Sequence, residues 1–280
     1  MRVRVCALIA VCCLLVLASC SSTNPSGPSN PAMDRITDLQ VTDRGSAWAT
    51  LGWTSNGADP AGYSYDARYL HSSQMGGLEE MTEDLWAVAD TVAAEPMPSE
   101  AGVAESLMVF GLAQESEYYM AVRTVRHSDG AMSDISNTVL TATDAIIIEC
   151  RSPGLAIPDS NPTGVSDVVT VTRELVITDV FVGVNIAHTW IGDLIIEVTA
   201  PGGTTVRLHN RTGGSGDDIF GWYGTDQFGI AELTVDGPGS LDDFDGHTSL
   251  GDWTLWVSDN AGADLGTLAE WCVAVEGVDP

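Results

Sequence analysis

The chain contains no lysine. Its 11 basic residues are all arginine, set against 39 aspartates and glutamates, for a formal charge of −28 over 280 residues. A phosphate-backbone binder needs a basic footprint, so this balance excludes nucleic acid as a partner. Excess acid keeps a protein soluble and suits divalent cations or a saline habitat, but it identifies no site by itself. Beyond residue 20 no run is long and apolar enough to span a bilayer. EF-hand spacing is missing, and so is a Gly-x-Ser-x-Gly nucleophile elbow. What the chain does have is 44% apolar residues. That is enough for real cores and excludes wholesale disorder. At roughly 100–150 residues per domain, the length predicts two domains.

The first 33 residues carry no acid. Arg2 and Arg4 precede an apolar run, Val5 to Leu17, of signal-peptide length. The run ends in Leu17-Ala18-Ser19-Cys20, which resembles the bacterial lipobox, in which the Cys thiol takes diacylglycerol and becomes the new N-terminus. An ordinary secretory signal with a chance cysteine is the alternative. Residues 1–19 are thus expected as the signal, and 20–33, rich in Ser, Asn, Pro and Gly, as lipidated Cys20 plus a tether. Ser21 is not Asp, which by resemblance to bacterial sorting rules favours the outer membrane. The expected setting is a lipid-anchored protein of the bacterial cell envelope. Cys6, Cys12 and Cys13 leave with the signal, so only Cys150 and Cys272 remain in an oxidising compartment. Either they form a disulfide or they are two buried free thiols.

From Asp34 to about residue 144, short alternating segments separated by turn residues predict a sandwich: Ile36–Val41, Ala47–Trp53, Tyr63–Leu70, Tyr118–Arg126 and Thr138–Thr143. Trp53 closes the second strand. Leu112 is followed six residues later by Tyr118, similar to a tyrosine corner, and Ser133-Asp134-Ile135-Ser136-Asn137 approaches the last strand. The segment resembles a fibronectin type III module. About 30 extra residues after His71 contain Met81, Leu85, Val88 and Val92 at near-helical spacing, with a docking patch around Trp86 as a second reading. Modules of this kind are usually spacers or adhesive units.

Residues 150–280 are also strand-rich, with Gly- and Asp-rich loops. Ile157-Pro158-Asp159, the run Val184 to Leu194 (VNIAHTWIGDL), Ala200-Pro201-Gly202-Gly203-Thr204, Gly251 to Asp259 (GDWTLWVSD) and Gly266 to Trp271 (GTLAEW) follow one another in order. Together they resemble the P domain, or Homo B domain, of subtilisin-like proprotein convertases and bacterial exoproteases. The resemblance implies a β-jelly roll whose first and last strands lie close, bringing Cys150 near Cys272. The expected fold class is all-β throughout.

The usual companion of a P domain is a Ser-His-Asp protease. Gly246-His247-Thr248-Ser249 superficially resembles a catalytic His turn, but no serine sits in a matching Gly-Thr-Ser turn. The expectation is therefore no catalytic residue and no enzymatic activity; a serine endopeptidase label would come by association only. Asp193, Asp217, Asp218 and Asp259 are the candidates for a structural calcium, because calcium takes six to eight hard oxygens. Building turns is the alternative use of Asp. Trp222 and Tyr223, flanked by Gly221 and Gly224, read as a loop that faces a sugar or peptide. Three functions remain: a binding and spacer protein with a protein or glycan ligand, a component of a protease system assisting a catalytic chain in trans, and a carbohydrate-binding surface protein.

Overall fold

The computed structural model describes residues 33–225 and 228–280. The signal segment and Cys20 lie outside the described residues. The fold is almost wholly β. Seven strands build the first sandwich: β1 (Gln40–Arg44), β2 (Trp48–Thr54), β3 (Tyr63–His71), β4 (Asp90–Thr91), β5 (Ala104–Phe110), β6 (Glu117–Arg126) and β7 (Val139–Ala142). They form two sheets, ordered β1-β2-β5 and β4-β3-β6-β7. Alternate residues of both sheets meet in one core, with Trp53 set edge-on against Tyr65 at 5.0 Å. Tyr118 is buried, and its hydroxyl accepts a hydrogen bond from the Ala113 amide (2.9 Å), next to buried Leu112. The expected strand from Ile36 forms only at Gln40. Ahead of it, the Asn137 side chain pairs with both the amide and the carbonyl of Leu39, doing the work of a neighbouring strand.

The extra segment folds as α1 (Glu83–Val88), capped by the Thr82 hydroxyl and with two acids in its first turn. Trp86 is not a docking patch. It is buried, with the guanidinium of Arg68 at 5.0 Å and that of Arg123 at 4.9 Å from its ring. The side chain left outside is Val88, not Trp86.

Ten strands build the second sandwich: β8 (Ala145–Arg151), β9 (Leu155–Ile157), β10 (Asn161–Val171), β11 (Val176–His188), β12 (Leu194–Thr199), β13 (Thr205–Asn210), β14 (Ile219–Tyr223), β15 (Glu232–Leu233), β16 (Gly251–Asp259) and β17 (Gly266–Val278). One sheet runs β10-β16-β12-β13. The other runs β15-β14-β11-β17-β8, with β9 also on β17. Trp253 and Trp271 are fully buried, their indole N–H groups donating to the Ser249 carbonyl (3.0 Å) and to Asp167 (2.9 Å). Cys150 and Cys272 are direct cross-strand partners and form a disulfide, with a sequence separation of 122.

Only Thr143 and Asp144 separate β7 from β8, so the second sandwich starts at Ala145, ahead of the expected Cys150. The joint between the sandwiches is made of carboxylates. Glu276, 2% exposed, accepts from the Ser46 hydroxyl (2.6 Å) and the Ser46 amide (3.3 Å). Glycine at 45 leaves room for this contact, since a Cβ there would lie 2.5 Å from the Trp48 indole nitrogen and 2.9 Å from the Glu276 carboxylate, forcing one of them to shift. Buried Asp144 accepts from the Thr178 hydroxyl (2.7 Å). Its other oxygen faces Arg44 at 3.1 Å, out of line for a hydrogen bond but within ion-pair range. Arg173 spans the same joint, pairing with Glu115 and Asp279.

Two outcomes follow from this architecture. Reducing the disulfide frees a loop long enough for the chain-entropy relation to assign about 4–5 kcal/mol. Dithiothreitol is thus expected to lower the urea midpoint sharply, and a midpoint that does not move would contradict it. Burial pushes the Asp179 carboxyl up to about 6, with repulsion from Glu276, Asp245 and Asp242 adding to it. A raised folded-state value in an acid means the ionised form opposes folding. The penalty is absent below the ordinary value of 3.8 and complete above about 6. Asp179→Asn should therefore stabilise the protein at neutral pH by about 1 kcal/mol after solvent screening. The gain should vanish at about pH 4; an equal gain at both pH values in urea melts would refute this origin.

Candidate functional site

The signature turn after β11 gathers the chemistry-bearing side chains of the second sandwich. His188 ends β11, and its ring is completely buried. Its Nδ1 accepts from the Trp190 amide (3.1 Å), so Nε2 carries the proton and donates to Asp259 (3.3 Å). The second Asp259 oxygen accepts from the Ala261 amide (3.1 Å). The main chain of His188 is clamped as well, its amide donating to the Asp218 carboxylate (2.9 Å) and its carbonyl accepting from the Asp218 amide (2.8 Å). A histidine acting as general base needs a free nitrogen within reach of the nucleophile. Here both ring nitrogens are committed, and the pair works as an internal strut.

His209, His247 and Ser249 have other surroundings. His209 Nε2 donates to the Ile191 carbonyl (2.9 Å). Its Nδ1 lies 3.6 Å from Asp236, which also holds the Thr212 hydroxyl (2.6 Å). Ser249 is buried, accepting from the Leu175 amide and donating to the Arg173 carbonyl, both at 2.9 Å. His247, in the same turn, is exposed.

The structure brings the four candidate calcium acids only partly together. Asp193 and Asp259 do lie near each other, since Asp259 is the register partner of Leu194 and the Asn260 amide donates to the Asp193 carbonyl (2.8 Å). Yet Asp259 spends both oxygens on His188 and Ala261, and Asp218 holds the His188 amide. Asp217 is exposed on its loop. Among the described residues no group of three or more His, Cys, Asp or Glu is placed to hold a metal. Asp218 and Asp259 act as hydrogen-bond acceptors that brace turns, the role that competes with metal binding for such residues.

The aromatic pair also departs from expectation. Trp222 and Tyr223 belong to β14, not to a loop. Because side chains alternate along a strand, they face opposite sides of the sheet and cannot hold one ligand together. Tyr223 is sunk in the main core, where burial drives its phenol above its ordinary range. Trp222 packs on the outer face with Phe181, Phe228 and Cys272. There it borders a cavity of about 270 Å³ that also touches the disulfide, Gly183, Asn185, Phe220 and Glu270. Sequence reading missed Asn185, Phe220 and Glu270. Their signal was exposed residues at alternate positions of otherwise apolar strands.

The chain is thus an all-β protein whose second sandwich packs two β-sheets face to face. Residues 177–275 match the family described as Proprotein convertase P-domain. The chain is 34% identical to Leupeptin-inactivating enzyme 1 of Streptomyces exfoliatus over 117 residues, 41% of this chain and 23% of that protein. It is 39% identical to a Calcium-dependent protease of Nostoc sp. over 95 residues, 33% of this chain and 13% of that protein. Among solved structures, the serine protease of Aeromonas sobria covers 50% of this chain and 28% of its own, at 20% identity and a TM-score of 0.34. The chain therefore spans less than a quarter of the length of these curated relatives.

The strut reading makes a stability prediction. Asp259→Ala strands the buried His188 Nε2–H and frees the half-buried Ala261 amide, and should cost about 1–3 kcal/mol in urea unfolding. Asp217→Ala should stay within about 0.5 kcal/mol of the parent. Equal effects from the two substitutions would contradict the assignment.

Proposed function

We propose that this chain is a lipid-anchored protein of the bacterial envelope that binds rather than cleaves, and that its P domain assists a protease carried on a separate chain. The observation that carries the reading is the commitment of both His188 nitrogens beside a domain whose relatives are proteases. Lipidation of Cys20 would hold the sandwiches off the outer membrane on the tether of residues 20–33. The first sandwich, resembling a fibronectin type III module with its Leu112–Tyr118 corner, would set the distance from that surface. The short connection through Thr143 and Asp144 suits a stiff spacer better than a flexible one.

Two measurements test this. Mass spectrometry of the membrane fraction should find diacylglycerol on Cys20 as the N-terminal residue; an unmodified mature N-terminus elsewhere would remove the anchor. The purified chain should not digest casein at any pH from 5 to 9, and casein cleavage that co-purifies with the chain through denaturation and refolding would overturn the non-catalytic reading.

A further inference from the structure

We infer that the slot on the outer face of the larger sheet receives one aromatic or long aliphatic side chain of a partner polypeptide, flanked there by arginine or lysine. The inference rests on the reading of the second sandwich as a binding domain and names the surface and the chemistry it selects.

Register builds the slot. Gly183 on β11 pairs with Trp222 on β14 and with Cys272 on β17, and Cys272 pairs with Cys150 on β8. One residue row away, Asn185 pairs with Phe220 and with Glu270. The first row is apolar and has a gap at its centre. A Cβ on Gly183 would sit 2.8 Å from the Trp222 indole, so glycine lets the ring settle onto the sheet. Phe228 lies against the same indole, ring centres 4.3 Å apart. Trp222 is thereby fixed as a wall, and the disulfide stands opposite. Phe220 forms the rim and is 56% exposed; Ile148, on the outer face of β8, is 45% exposed. Exposed apolar surface beside a formed cavity marks an interaction site.

Size and polarity choose the occupant. Clefts for drug-sized ligands start at about 300 Å³. This cavity, at about 270 Å³, suits a single side chain. A saccharide presents hydroxyls all round and needs several polar partners, whereas Asn185 and Glu270 are the polar side chains in the lining. An aromatic or long aliphatic group fits the rest, as at the centres of protein interfaces.

Charge supplies the second half of the preference. Glu270 is exposed at the rim and accepts from the Ser152 hydroxyl (3.1 Å), with no ion pair to it among the described residues. Among the described residues no arginine lines the cavity, and the chain as a whole carries −28. A cation next to the inserted side chain is attracted both at the rim and from a distance. A second copy of this chain, equally acidic and without lysine, would be repelled.

The test uses the whole mature chain and a fluorescein-labelled Gly-Arg-Phe-Arg-Gly peptide, followed by anisotropy. Saturable binding is expected, weakened by salt and absent for the Gly-Arg-Ala-Arg-Gly peptide. Phe220→Ser should weaken it about tenfold or more, and Glu270→Gln about threefold. Both positions are exposed, so unchanged melting temperatures will show that the variants fold. No saturable binding, or binding indifferent to both substitutions, would overturn the inference. So would dimerisation or glycan-array binding that Phe220→Ser abolishes, since each assigns the slot to another occupant. Co-purification of an envelope protease that survives both substitutions would sink the slot while leaving the accessory role standing. Absence of both peptide binding and protease capture would sink the two together.

Discussion

The ladder between β11 and β17 is the constraint on which the rest of the molecule depends. It runs from Val176↔Val278 to His188↔Gly266. Alternation along β17 sends Trp271, Val273 and Val275 into the core, while Cys272 and Ala274 lie on the outer face and Glu276 reaches the joint with the first sandwich. One strand thus anchors the jelly-roll core, closes the disulfide to β8 and grips Ser46. A one-residue slip would exchange these faces and undo all three at once. The same ladder sets His188 against Gly266, where any side chain would run into the imidazole.

This arrangement gives the histidine beside an aspartate a structural role. In hydrolytic triads the acid orients an imidazole whose other nitrogen faces the nucleophile. Asp259 does hold the ring, but the opposite nitrogen is occupied by a main-chain amide of the signature turn. The energy of the pair goes into fixing the turn between β11 and β12. Rigid turns and a disulfide-closed sheet make a platform, and the outer face of that sheet presents the exposed apolar and acidic side chains.

Much of the fold was legible in the sequence because it depends on local pattern. Period-two alternation identified both sandwiches, the Leu112–Tyr118 spacing anticipated the hydroxyl-to-amide bond at the corner, and resemblance to a P domain brought Cys150 to Cys272. What remained illegible depends on contacts between distant polar residues. Nothing in the sequence couples Ser46 to Glu276 or Thr178 to Asp144, yet these pairs build the joint. The glycines around Trp222 and Tyr223 looked like loop punctuation; in the sheet, Gly183 and Gly221 instead make room for a tryptophan and for a neighbouring chain. The candidate calcium ligands show a related limit. Asp-rich loops advertise oxygen ligands, but whether those oxygens are free depends on which amides and imidazoles the fold brings to them. Trp86 shows the same limit, since the two arginines that cover it come from β3 and β6.

The central claim is that His188 and Asp259, with both imidazole nitrogens committed, form a structural pair, in keeping with the proposed binding role. A fluorophosphonate probe, which forms a covalent bond with an activated serine hydroxyl, tests this most directly on the purified chain. The account predicts that intact-mass spectrometry finds no adduct on any serine under native conditions. A single stoichiometric adduct that disappears in the His188→Asn variant would contradict it.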